Sequence, residues 1–119
     1  MLFRSRSILS TGMEGLVKEG SEVMEDGFEG SVLDAGLIGA ARRVEHYEMA
    51  AYSAVCEFAK VLGQTKHASL LEKTLAEERQ TDEQLGNLAK EINSQAKEES
   101  SEEQLDSFPA VKKTQKRAA

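Results

Sequence analysis

The stretch from Leu37 to Ile92 constrains this chain more than any other, because two long apolar seams of helical spacing are separated by only Gly63, Gln64 and Thr65. The first seam reads Leu37, Ala41, Val44, Glu48, Ala51, Val55, Phe58 and Leu62, with Glu48 its one polar member. A neighbouring seam through Ile38, Ala41, Glu45, Glu48, Tyr52, Val55, Ala59 and Leu62 turns Glu45 the same way. In the second helix Leu71, Leu75, Glu78, Asp82, Leu85, Ala89 and Ile92 repeat the design, again with carboxylates in mid-stripe. A connection this short between two long helices forces an antiparallel hairpin. Gly63 stands where a left-handed helix end is wanted, and Thr65 is placed to cap the helix that follows.

No strand pattern competes with this reading, so the expected class is all-α: an antiparallel two-helix hairpin plus a short N-terminal helix. Residues 1–12 are expected to be a non-core extension. Residues 13–26 have the spacing of a short amphipathic helix weakened by Gly15 and Gly20, each worth about 1 kcal/mol against Ala. After the break at Gly27 to Gly30, Ser31 or Asp34 is expected to cap a helix running from Val32 to Leu62. The partner helix is expected from Lys66 to Ile92 or Asn93. The acidic, polar stretch beyond it, with a basic end at Lys112, Lys113, Lys116 and Arg117, predicts a disordered tail over 94–119.

A net charge of −6 disfavours a nucleic acid partner, which needs a clustered positive field. No apolar run is long enough to span a membrane. The single cysteine, Cys56, allows no internal disulfide, which points to a reducing compartment and hence the cytoplasm. With 119 residues, of which about half carry real periodicity, the core the chain can bury alone is small, and a partner is expected.

Depth in an antiparallel hairpin is counted from its turn. Glu48 and Glu45 lie about 14 to 17 residues before Leu62, and Glu78 and Asp82 about 12 to 16 after Lys66, which at 1.5 Å per residue is one level to within about a helical turn. Carboxylates gathered at one level need compensation, because each uncompensated buried charge costs several kcal/mol and like charges repel further. Protonation, pairing with arginine or lysine, and binding a hard cation are the three remedies. Only the cation uses all the oxygen donors at once. Glu45, Glu48, Glu78 and Asp82 are therefore the candidate metal ligands, with Glu77 a substitute if the second helix is rotated. His46 projects away from these carboxylates and reads as a surface residue or an outer support, while Tyr52 is one turn beyond Glu48 and within reach of a ligand carboxylate.

The run from Arg43 through Glu45, His46, Tyr47 and Glu48 to Tyr52, with Met13-Glu14-Gly15-Leu16 upstream and Thr74 to Asp82 downstream, resembles the ferritin-like YciE/YciF stress-response family. The similarity runs from about Met13 to Ala89. It implies a four-helix bundle of the di-iron carboxylate class, two bound iron ions with manganese as a substitute, and a ferroxidase activity. Glu45 and Glu48 are similar to the third-helix ligand pair of rubrerythrin-like sites, and Glu78 stands where the fourth-helix ligand is expected. Two departures stand out: Thr81, beside Asp82, occupies the place where such helices usually carry histidine, and the first two helices of the bundle are missing. The resemblance therefore covers the C-terminal half, and implies completion by a second copy, as a homodimer, or by a separate N-terminal half. A metal-free helical interaction module, or an inactive fragment, is the alternative.

Overall fold

The structure is a computed structural model that describes residues 10–107; the ends at 1–9 and 108–119 lie outside the described residues. Three helices follow one another: α1 (Thr11–Glu25), α2 (Gly30–Val61) and α3 (Thr65–Ser107). The described residues contain no strand. None of these helices is long and apolar enough to cross a membrane.

Local chemistry sets each boundary. Ser10 caps α1: its hydroxyl accepts a hydrogen bond from the Met13 amide at 3.1 Å, so the structured chain begins within the stretch expected to be extension. The turn from α2 to α3 is a Schellman motif, with Gly63 at φ 70°, its amide donating to the Lys60 carbonyl at 3.0 Å and the Gln64 amide to the Ala59 carbonyl at 2.8 Å. The expected left-handed glycine is there, and α3 starts directly at Thr65.

The start of α2 departs from expectation. The helix begins at Gly30, its N-cap Glu29 makes no side-chain cap, and neither Ser31 nor Asp34 serves as one. Ser31 is instead buried inside the first turn, where its amide and hydroxyl donate to the two carboxylate oxygens of Glu99 at 3.1 and 2.7 Å. A carboxylate borrowed from α3 thus satisfies the free amide and faces the positive end of the α2 dipole. That contact requires α3 to continue well past Asn93. The disordered tail expected from residue 94 is a helix as far as Ser107, while the basic end falls outside the described residues. Its polar composition concealed a helix whose inner edge still presents Ile92, Ala96 and Glu99. Glu99→Ala is expected to lower stability by about 1 kcal/mol, as loss of an N-cap does, and to speed amide exchange in the first turn of α2; unchanged exchange there would rule out the contact.

α2 packs against α1 on one side and α3 on the other, and α1 and α3 do not touch. Near the turn Cys56 and Ala59 of α2 pack on Ala68 of α3 with Leu71 against them, and further along the helices Ile38 and Leu75 are also buried. On the opposite side small residues let α1 come close: a methyl group added at Gly36 would lie 2.8 Å from Val23 Cγ1, and one at Gly12 would lie 2.6 Å from the Tyr47 ring. Tyr47 also hydrogen-bonds the Ser10 hydroxyl, and Arg43 pairs with Glu19 at 3.4 Å.

The result is a single layer of helices, 78 × 28 × 13 Å, with a radius of gyration of 22.0 Å. A compact chain of this length would have one of about 13 Å. Among the described residues no large side chain is fully buried. The apolar seam expected to form core on α2 is open towards the turn, where Phe58 is 64% and Leu62 73% exposed. A layer one helix thick lacks the second layer against which domains bury such a face.

Candidate metal centre

Halfway along the α2–α3 seam, Glu45 and Glu48, one turn apart on α2, meet Glu78 of α3. One carboxylate oxygen from each lies within 4.8 Å of the other two, and all three residues are half-buried. Counting from the turn predicted this meeting.

The electrostatics show what the arrangement lacks. Glu45 Oε2 is buried without a hydrogen-bond partner. The Glu45 carboxyl is pushed up to about 7, first by hydrogen-bonding contact with the Glu78 carboxyl, which needs a shared proton, then by burial, and then by repulsion from Glu78, Glu48 and Asp82. Burial, followed by contact with Glu78, also raises Glu48. Glu45 and Glu48 thus hold protons that carboxylates normally surrender near pH 4. A hard divalent cation would replace those protons and supply the buried oxygen with a partner, so the residues present fit such an ion.

Asp82, expected as a ligand, is not in this group. Arg42 reaches it from α2 in a two-pronged contact, Nε to Oδ1 at 2.9 Å and Nη2 to Oδ2 at 3.3 Å, and His46 Nε2 stands 3.0 Å from Oδ2. These contacts hold Asp82 below the usual carboxylate range, the Arg42 hydrogen bond foremost. Glu77, the substitute ligand, is exposed and outside the cluster. Tyr52 is half-buried and hydrogen-bonds none of the carboxylates. His67 is exposed, as expected.

Sequence reasoning understated Arg42 and His46. Their spacing of one turn on the α3-facing side was the available signal, and the length of the arginine side chain is what lets it reach around. Asp82→Ala is expected to cost about 1–2 kcal/mol, since it strips Arg42 and His46 of their partner. Manganese affinity should change by only a few-fold, read by titration calorimetry; complete loss of binding would make Asp82 a ligand after all.

Against known proteins, the family described as "Domain of unknown function (DUF892)" matches residues 4–98, a wider span than the resemblance from Met13 to Ala89. Protein YciF of Escherichia coli strain K12 is 49% identical over 77 residues, covering 65% of this chain and 46% of that protein. The crystal structure of the E. coli stress protein YciF matches with a TM-score of 0.67 and 46% identity, covering 69% of this chain and 52% of the other. The chain thus spans about half the length of the relatives it matches.

Proposed function

The chain belongs to the DUF892 family, with the YciF stress protein among its relatives, and from this premise we propose that its layer is half of a ferritin-like, di-iron carboxylate four-helix bundle. On this reading Glu45, Glu48 and Glu78 hold the metal. The observation that carries it is the convergence of three ligand oxygens around the unpartnered Glu45 Oε2. Bound iron would supply the capacity to oxidise Fe(II) with oxygen or peroxide, a reaction suited to a cytoplasmic stress response.

The chain's own residues do the remaining work. Glu45 and Glu78 come from different helices, so a bound ion ties α2 to α3 at mid-length. Asp82, fixed by Arg42 and His46, packs beside the cluster and adds negative potential without joining it. Three carboxylates make at most half of a two-ion donor set, so the site is complete only when a facing half adds its own donors, from a second copy or from a separately encoded partner.

Anaerobic titration of the purified chain with Fe(II) and Mn(II), with bound metal counted by mass spectrometry, tests the proposal. Saturable binding that Glu45→Gln abolishes is the expected result. Absence of bound metal at millimolar concentration would leave the second reading, a metal-free helical interaction module whose acids are held by protons. The raised Glu45 carboxyl favours that alternative.

A further inference from the structure

Four carboxylates stand near one level of the hairpin, and only three of them converge. Asp82 lies one helical turn beyond Glu78 on α3, and residues four apart on a helix are neighbours, with about 5–6 Å between Cβ atoms. A change of χ1 rotamer therefore moves the Asp82 carboxylate towards Glu78 or away from it. Its charge already reaches the cluster, where it adds to the repulsion that raises Glu45. Position along the helix does not keep Asp82 out; its partners do.

Arg42 is the chief of these. Its Nε donates to Oδ1 at 2.9 Å and its Nη2 to Oδ2 at 3.3 Å, a fork that engages both oxygens of a side chain only 15% exposed. The guanidinium lies over Gly86, one turn further along α3. A methyl group there would stand 3.5 Å from Arg42 Cζ and Nη2, and a longer side chain would take the guanidinium's seat. His46 Nε2, 3.0 Å from Oδ2, shares that oxygen, whereas Oδ1 goes to Arg42. Arginine is not deprotonated in proteins, so this hold does not loosen as pH rises.

We propose that Arg42 is a positioning residue of the metal centre: it withholds Asp82, and so fixes at three the carboxylates this chain gives to a bound ion. The inference rests on the metal reading and deepens it by naming the side chain that sets the donor count. Affinity of an oxygen site for a hard cation follows the number and charge of its carboxylates, so the hold keeps affinity low and the ion exchangeable. Removing the guanidinium frees Oδ1 for the ion and leaves Oδ2 on His46, the kind of outer partner that orients a ligating carboxylate.

The experiment is calorimetric titration with Mn(II) of the full chain, of Arg42→Gln, of Asp82→Ala and of the double variant, each checked for helicity by circular dichroism. Arg42→Gln should tighten manganese binding about tenfold or more where Asp82 is present, and by roughly threefold or less in the Asp82→Ala background. The second background separates two causes. Loss of a positive charge favours a cation through space whether or not Asp82 is there, whereas release of a ligand needs Asp82. Manganese bound by Arg42→Gln but not by the parent chain would also support the proposal, the hold then being complete.

Equal tightening in both backgrounds would overturn the proposal, as would binding by Arg42→Gln that is unchanged or weaker; in either case manganese on the parent chain leaves the metal reading intact. Manganese bound by none of the four chains refutes the metal reading and the proposal with it. A second measurement needs no metal. In EDTA, urea unfolding should show the two substitutions to be non-additive, the double variant being no less stable than Asp82→Ala alone. Additive losses would mean that the fork does not hold Asp82 in solution, and would overturn the proposal whatever the manganese result.

Discussion

Glu45→Gln is expected to melt several degrees above the parent chain at pH 8 in EDTA, and to bind Mn(II) at least 100-fold more weakly. Buried acids without partners destabilise a fold by about 1–3 kcal/mol, and in a domain of this size 1 kcal/mol moves the melting temperature by roughly 4–8 °C. Glutamine keeps the shape, removes the negative charge that Glu78, Glu48 and Asp82 repel, and gives an N–H that can donate to the Glu78 carboxylate. The same change replaces one of three ligand carboxylates with a neutral amide and removes the charge that draws a cation. Stability and binding should therefore move in opposite directions, the mark of a site strained in the absence of its ligand. A melting temperature that is unchanged or lower would mean that the three acids are not strained.

The second large effect is an acid-shifted stability optimum. Glu45 has its folded-state pKa raised to about 7 from 4.5, so between those values the folded chain holds more protons than the unfolded one. Stability of the metal-free chain is then greatest below 4.5 as far as Glu45 is concerned, and falls as pH rises towards 7. Glu48 is displaced the same way. Asp82 acts oppositely: its pKa is lowered from 3.8, so its stabilising contact with Arg42 is full above that value and is lost as pH falls through the folded-state pKa. The two trends meet between 3.8 and 4.5, well below the usual optimum of about 5 to 8. Urea unfolding followed by circular dichroism from pH 3 to 9 in EDTA should place the maximum there. Saturating Mn(II) should reverse the slope above pH 5, because ligands must shed protons to bind. A metal-free optimum near neutrality would contradict the cluster's geometry.

Much of this was legible in the sequence, for a physical reason. The α3 seam from Leu71 to Ile92 does line α2, and depth counted from Gly63 brought Glu45, Glu48 and Glu78 together, because rise per residue is nearly invariant in a helix. Three things were not legible. Periodicity says which positions share a face but not what covers it, so the seam through Phe58 and Leu62 read as core although this chain alone leaves it open. Spacing places Asp82 at the right level but ignores reach, and Arg42 arrives there first. Composition made the stretch after Asn93 look unstructured, since one part-buried contact between Glu99 and Ser31 barely alters hydropathy.

The Glu99 contact has a further meaning when set beside the Gly63 turn. The hairpin is fastened at both extremities, by the Schellman bonds at one and by the carboxylate on Ser31 at the other. Sliding α3 along α2 by a single residue, about 1.5 Å, would break one fastening or bend the chain between them. The register of the acids of α2 against the acid of α3 is thus set by the count of residues between two pins. An ion arriving there would meet acids whose register along the two helices is already fixed.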